Sequence, residues 1–239
     1  MTFDFGHDVL NEIPERIFCL AEKSIISANR HATYLGPGIE HWPAMSVLNA
    51  SHACELFIKA SIATHHPLLI FKDAFNFSPD EANGLSLENI IAKGRSHDFA
   101  NLPKIYWAVT GKSLNRPDLF EDMRQTRNAL QHFVEPEHKD LSELTLRFIY
   151  EVVDPLINSD FGIHALEYYE DINDGYDYTV DQLIKHEIEF SMPSNFCEGE
   201  VSWDEALADV NATYREWFHG AFLKATGTPL KSENSTCPH

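Results

Sequence analysis

The stretch Leu119-Phe120-Glu121-Asp122-Met123-Arg124-Gln125-Thr126-Arg127-Asn128-Ala129-Leu130-Gln131-His132-Phe133 places an Arg, an Asn and a His at spacings that suit phosphate chemistry. At about 100° per residue it predicts a helix with two unlike faces. Ala129, Phe133, Thr126, Leu119, Leu130, Met123 and Val134 fall on one arc, which neighbouring helices would cover. Arg127, Gln131, Arg124, Asn128 and His132 collect on the other, with only Glu121 among them. A solvated face would mix Lys with Glu, so a cluster of guanidinium, amide and imidazole groups reads as a site.

The chemistry these types serve is metal-free cleavage of RNA, whose 2′-hydroxyl is a built-in nucleophile. His132 can exchange protons near neutral pH. Arg127 offers a fixed fork of donors to phosphate oxygens and keeps its charge. Asn128, four residues before His132, shares its side of the helix and can orient the imidazole or the phosphate. Arg124 and Gln131 are expected RNA contacts. One helix supplies a single Arg-Asn-His set, too little for an acid and base pair. A second copy from a symmetric partner would complete it, so a homodimer is expected. Arg-x4-His alone is a weak pattern; Asn directly after the Arg and a clean amphipathic helix sharpen it.

The motif resembles the signature of the HEPN superfamily of all-α nucleases, an Arg followed by four to six residues and a His, often with Asn after the Arg. Ala53-Cys54-Glu55-Leu56-Phe57-Ile58-Lys59-Ala60 is similar to an early family helix with a Glu-Leu-x-x-x-Lys pattern. Ser96-His97-Asp98-Phe99-Ala100-Asn101-Leu102 is similar to the His-Asp-Leu-x-x-Leu start of the next one. The resemblance covers roughly the first two thirds of the chain. It implies an up-and-down helical bundle that dimerises through the motif helix around a shared cleft, with Arg127 and His132 catalytic and Asn128 accessory. It also implies toxin–antitoxin or phage-defence settings, hence an antitoxin or regulatory partner. Family toxins silenced by nucleotide addition carry a Tyr just beyond the motif His, whereas Phe133-Val134-Glu135-Pro136 follows here, so that control is not expected. The contrasting reading is a non-catalytic HEPN-like module that binds a nucleotide or a protein.

Charge bears on the choice. The chain of 239 residues carries a formal −19, which opposes phosphate backbones. Residues 161–239 hold four basic and fifteen acidic groups, a net of −11, and the first 160 hold the other fourteen Lys and Arg. A local cationic cleft on an acidic body still suits weak, selective RNA binding. Hydrophobic content of 44% is enough for a real core. Met1-Thr2-Phe3-Asp4-Phe5-Gly6-His7-Asp8 lacks an apolar leader and no run approaches a membrane span, so a cytoplasmic protein without membrane contact is expected. Cys19, Cys54, Cys197 and Cys237 are scattered with no C-x-x-C pair, which indicates reduced thiols. The thirteen His include His65-His66 at a helix end and His186-Glu187 without a second His at helical spacing, so neither metal nor another cofactor is expected. There is no internal repeat and no Gly-rich phosphate loop.

The elements that must position the motif are helices. A stripe of Ile13, Ile17, Leu20, Ala21 and Ile25 predicts a helix from about Val9 to Ala32, stopped by Gly36-Pro37-Gly38. A second helix is predicted from Trp42-Pro43 to about His65, with Glu55 and Lys59 in the favourable i,i+4 order, as a surface salt bridge or as support for the motif. Residues 67–85 read as loop. Short helices are expected at Leu87 to Lys93 and Asp98 to Thr110, and Arg116-Pro117-Asp118 starts the motif helix, which Glu135-Pro136 ends. A last bundle helix spans about Asp140 to Ile157, with Leu141, Leu144, Phe148, Val152 and Leu156 on one face and Asp154-Pro155 bending or ending it.

Composition shifts after Asn158-Ser159-Asp160, which divides the chain into a bundle of residues 1–160 and an acidic helical extension of residues 161–239. In the extension, Tyr168 to Tyr178 reads as aromatic packing with a solvated edge. Leu207, Val210, Tyr214, Trp217, Phe218 and Phe222 form an amphipathic helix, and Thr226 to His239 is a polar tail expected to be disordered.

Overall fold

The fold comes from a computed structural model that describes residues 5, 6, 8–34, 36–73, 90, 94–132, 139–168 and 177–193. It is an all-α bundle. Among the described residues no strand forms, and one antiparallel bridge joins Phe71 to Ser96.

Helix α1 (Asp8–Thr33) opens with an acidic residue and closes with Arg30, both favourable to the helix dipole. Ile13, Ala21, Ile25, Ala28 and Ala32 are buried, whereas Leu20, expected in the same stripe, is 48% exposed. Leu20 lies beside that stripe, and the small Ala positions are the ones covered. They face helix α2 (Trp42–His65), in the most extensive helix pair of the bundle. Residues 56–63 of α2 are buried on every side, because α2 is the central helix against which the others stack.

Helix α3 (Leu102–Thr110) follows a short 3-10 turn at Phe99–Asn101. It ends where Gly111 takes a left-handed φ of 73° and returns its N–H to the Trp107 carbonyl. Helix α4 (Pro117–Gln131) is the motif helix, with Pro117 in its first turn and Asp118 at its positive end. It buries Leu119, Phe120, Met123 and Thr126, with Ala129 and Leu130 half-buried. The expected apolar arc is thus occupied, and Phe133 and Val134 lie outside the described residues.

Helix α5 (Leu141–Phe148) is capped by Asp140, whose Oδ1 accepts the Glu143 N–H at 2.9 Å. Asp154-Pro155 does not end the rod. A π-helical turn at Ile149–Val153 inserts extra backbone, and helix α6 (Asp154–Phe161) continues with Pro155 in its first turn, where no intrahelical donor is required.

The described residues between 161 and 193 pack on the bundle. Leu166 is buried, the Ala165 carbonyl accepts from Asn29 of α1 at 3.3 Å, and helix α7 (Asp177–Lys185) buries Val180 and Leu183. Tyr178 stacks on Tyr34 at 5.4 Å. The compact unit closes at Pro193. The 87–93 segment apart from the buried Ile90, the helix expected at 207–222, the polar tail and most of the Tyr168 to Tyr178 stretch lie outside the described residues. No helix among the described residues is long and apolar enough to cross a membrane.

Candidate functional site

Two elements position Arg127. From α2, Glu55 Oε2 accepts from Arg127 Nη1 at 3.0 Å. From the 3-10 turn, the ring of Phe99 lies under the guanidinium, 5.1 Å from its carbon, and is itself braced by Phe120 at 4.6 Å. The side chain is only 19% exposed, so it packs along the flank of α4 rather than standing free in solvent.

Glu55 is shared. Its Oε1 lies 2.6 Å from Lys59 Nζ, which also donates to Ser96 Oγ at 3.0 Å. Burial by itself would push the Glu55 carboxyl up; the hydrogen bond and charge of Lys59, then Arg127, outweigh it and hold the group below its ordinary value. Two cations therefore surround one ionised carboxylate, and the cluster keeps a net positive charge within an acidic protein. The pair read from sequence as a surface bridge or a support is a half-buried brace for the motif Arg.

Histidines flank this brace. His52, one turn before Glu55 on α2, is exposed, and desolvation of its ring pulls its pKa down, opposed by Glu55 and reinforced by Arg127 and Lys59. His97 is pulled down by burial and by Lys72 and Lys59.

The other motif residues lie along the outer side of α4. His132 is the C-cap residue, its N–H returning to the Ala129 and Asn128 carbonyls, and its side chain is exposed. Asn128 and Gln131 are exposed too. None of these three side chains meets a hydrogen-bonding partner among the described residues. Arg124 differs: it forms a two-point pair with Glu121, Nε to Oε2 at 2.7 Å and Nη2 to Oε1 at 2.6 Å. Arg124 and Gln125 together pull the Glu121 carboxyl down to about 2. Its charge is thus partly spoken for, although on an exposed surface where exchange with another anion is easy.

The arrangement can bind an anion at a fixed guanidinium and exchange protons at neighbouring imidazoles. Among the described residues no group of three His, Cys, Asp or Glu side chains converges as a metal site would need. Sequence reasoning held a supporting role for the Glu55–Lys59 pair as one of two readings but did not name Arg127 as the group Glu55 holds, and it missed His52 and Phe99. The spacing of His52 to Glu55 and Lys59 on one helix face was the available signal for His52; nothing local marks Phe99 as a partner of Arg127. Comparison of the chain with known protein families, characterised proteins and solved structures found no match.

Proposed function

We propose that the chain is a metal-independent endoribonuclease of the HEPN kind, acting at the Arg127 cluster. The observation that carries this reading is the fixing of Arg127 by Glu55 and Phe99 on the same helix that exposes Asn128 and His132. A guanidinium held on one edge and one face loses little entropy when its remaining donors meet phosphate oxygens.

In the reaction the 2′-hydroxyl gives its proton to a base as O2′ attacks phosphorus. The P–O5′ bond breaks, and O5′ takes a proton from an acid. The products are a 2′,3′-cyclic phosphate and a 5′-hydroxyl. Arg127 balances the charge on the phosphorane oxygens, His132 moves a proton, Asn128 orients, and Arg124 and Gln131 contact the RNA backbone. A homodimer through α4 would set two motif copies around one cleft. A toxin–antitoxin or phage-defence role, with an antitoxin or regulatory partner, follows from the family resemblance.

One observation favours the second reading, a non-catalytic module that binds a nucleotide or a protein: Arg127 is already engaged by Glu55. The deciding test is cleavage of single-stranded RNA by purified protein in EDTA, with the ends analysed for cyclic phosphate and light scattering for the dimer. Cleavage that is lost in Arg127→Ala and His132→Ala supports the nuclease. Bound but intact RNA supports the module, and cleavage that needs a divalent metal removes the mechanism.

A further inference from the structure

Helix α2 carries more than the brace. Residues three and four apart on a helix are neighbours on one face, so His52, Glu55 and Lys59 form a row. Glu55 is the residue that grips Arg127, at 3.0 Å, and Lys59 is tied to Glu55 at 2.6 Å. The exposed imidazole of His52 thus stands one turn from the carboxylate that fixes the guanidinium. It is faced by Glu55 and Lys59 from its own helix and by Arg127 from α4. This row exists within one chain and depends on no partner.

Proton transfer at RNA needs two groups, and α4 supplies one imidazole, His132. We propose that His52 is the second proton-transfer group of the Arg127 site, acting as the base and supplied by the chain that supplies Arg127. This rests on the ribonuclease reading. His52 takes the proton from the 2′-hydroxyl as O2′ bonds to phosphorus; His132 gives its proton to O5′ as the P–O5′ bond breaks. The two imidazoles then hold the opposite protonation states and reset by exchange with water. The direction of the His52 shift fits its role: the ring's desolvation and the nearby Arg127 and Lys59 charges favour neutral imidazole over its cation, with Glu55 opposing. A base must be neutral at the working pH.

The test is the pH profile of kcat and kcat/KM on single-stranded RNA in EDTA for the wild type, His52→Ala and His52→Gln. Both variants change an exposed side chain, and circular dichroism checks that they fold. The expected result is a kcat lower by about a hundredfold or more with KM within about threefold, the acid limb of kcat/KM gone and the alkaline limb kept. Free imidazole should restore activity to His52→Ala in a concentration-dependent way, which a structural role would not allow. A variant within about threefold of wild type, or one that keeps the acid limb, overturns the assignment to His52 and leaves the nuclease reading intact. A wild type that leaves RNA uncut overturns both.

Discussion

Arg127 and Glu55 lie 72 residues apart in sequence, yet their side chains meet at 3.0 Å between α4 and α2. The contact turns a motif residue on a surface helix into a guanidinium of set direction. Lys59 extends it, since the same carboxylate accepts from both cations. On the proposed function, a phosphate would meet a pre-oriented fork at Arg127 rather than a mobile side chain.

Glu55→Ala should destabilise the fold, because Lys59 is 9% exposed and would lose its counter-charge. Breaking such a pair from one side costs about 3 kcal/mol, and Glu55→Gln, which keeps an accepting oxygen, should lose less. Urea unfolding measures both. The pH dependence has a definite sign. The folded-state carboxyl lies below its ordinary value of 4.5, so the stabilisation is full above that value and disappears as pH falls through the lowered one. The difference between wild type and Glu55→Gln should shrink in that acid window, and a constant difference would contradict the ion-pair account.

Asp154 predicts the opposite sign. Burial raises its pKa, and the Ala165 N–H at 2.6 Å and His164 at 3.4 Å only partly offset this. A carboxyl raised in the folded state weakens the fold as pH climbs from its ordinary 3.8 through the raised value. Asp154→Asn retains an oxygen for Ala165, so it should match or exceed wild-type stability at pH 7, with the gap closing in acid. Thermal melts across that range read the crossover.

Asp160 joins three helices. Ser61 of α2 donates to it, Tyr106 of α3 donates at 3.0 Å, and Lys112, just beyond α3, lies at 2.6 Å. Its side chain is 6% exposed and Tyr106 is buried. Tyr106→Phe removes one donor to a buried carboxylate and should cost about 2 kcal/mol. Asp160→Ala strands two hydroxyls and should cost more, whereas Lys112→Met should cost the least, because the ammonium is 46% exposed and can rehydrate. Chemical denaturation of the three variants should give that order.

At the site itself, Arg127→Lys keeps a charge but loses the fork and the flat contact on Phe99. RNA cleavage should fall by about a hundredfold, while Phe99→Leu, which removes only the ring face, should cost about threefold. His132→Ala should abolish cleavage with the melting temperature unchanged within about 2 °C, since the side chain is exposed. A large loss of stability in His132→Ala would place that residue in the packing and not in the chemistry.

Helical periodicity alone located α1, α2 and α4 to within a residue or two at most ends, because amphipathic spacing, Pro at helix starts and Gly at helix stops are local physics. The buried side of α4 was legible for the same reason: Leu119, Met123 and Thr126 recur at the helical period. Local rules also had limits within single elements. Asp154-Pro155 reads as a bend or an end, but a π-helical turn in which Val152 and Val153 are buried carries the rod on to Phe161. Leu20 shares the spacing of a core stripe but not its cover.

The candidate site divides along the same line. The order Arg127, Asn128 and His132 and their shared helix are properties of the sequence, since neighbours on one helix are set by spacing. That Glu55 rather than solvent holds Arg127, that Phe99 lies beneath it, and that His52 stands beside it depend on where α2 and the Phe99 turn pack against α4. Such contacts between distant segments arise from burial of the whole core, which no local pattern encodes, so only the tertiary structure decided them.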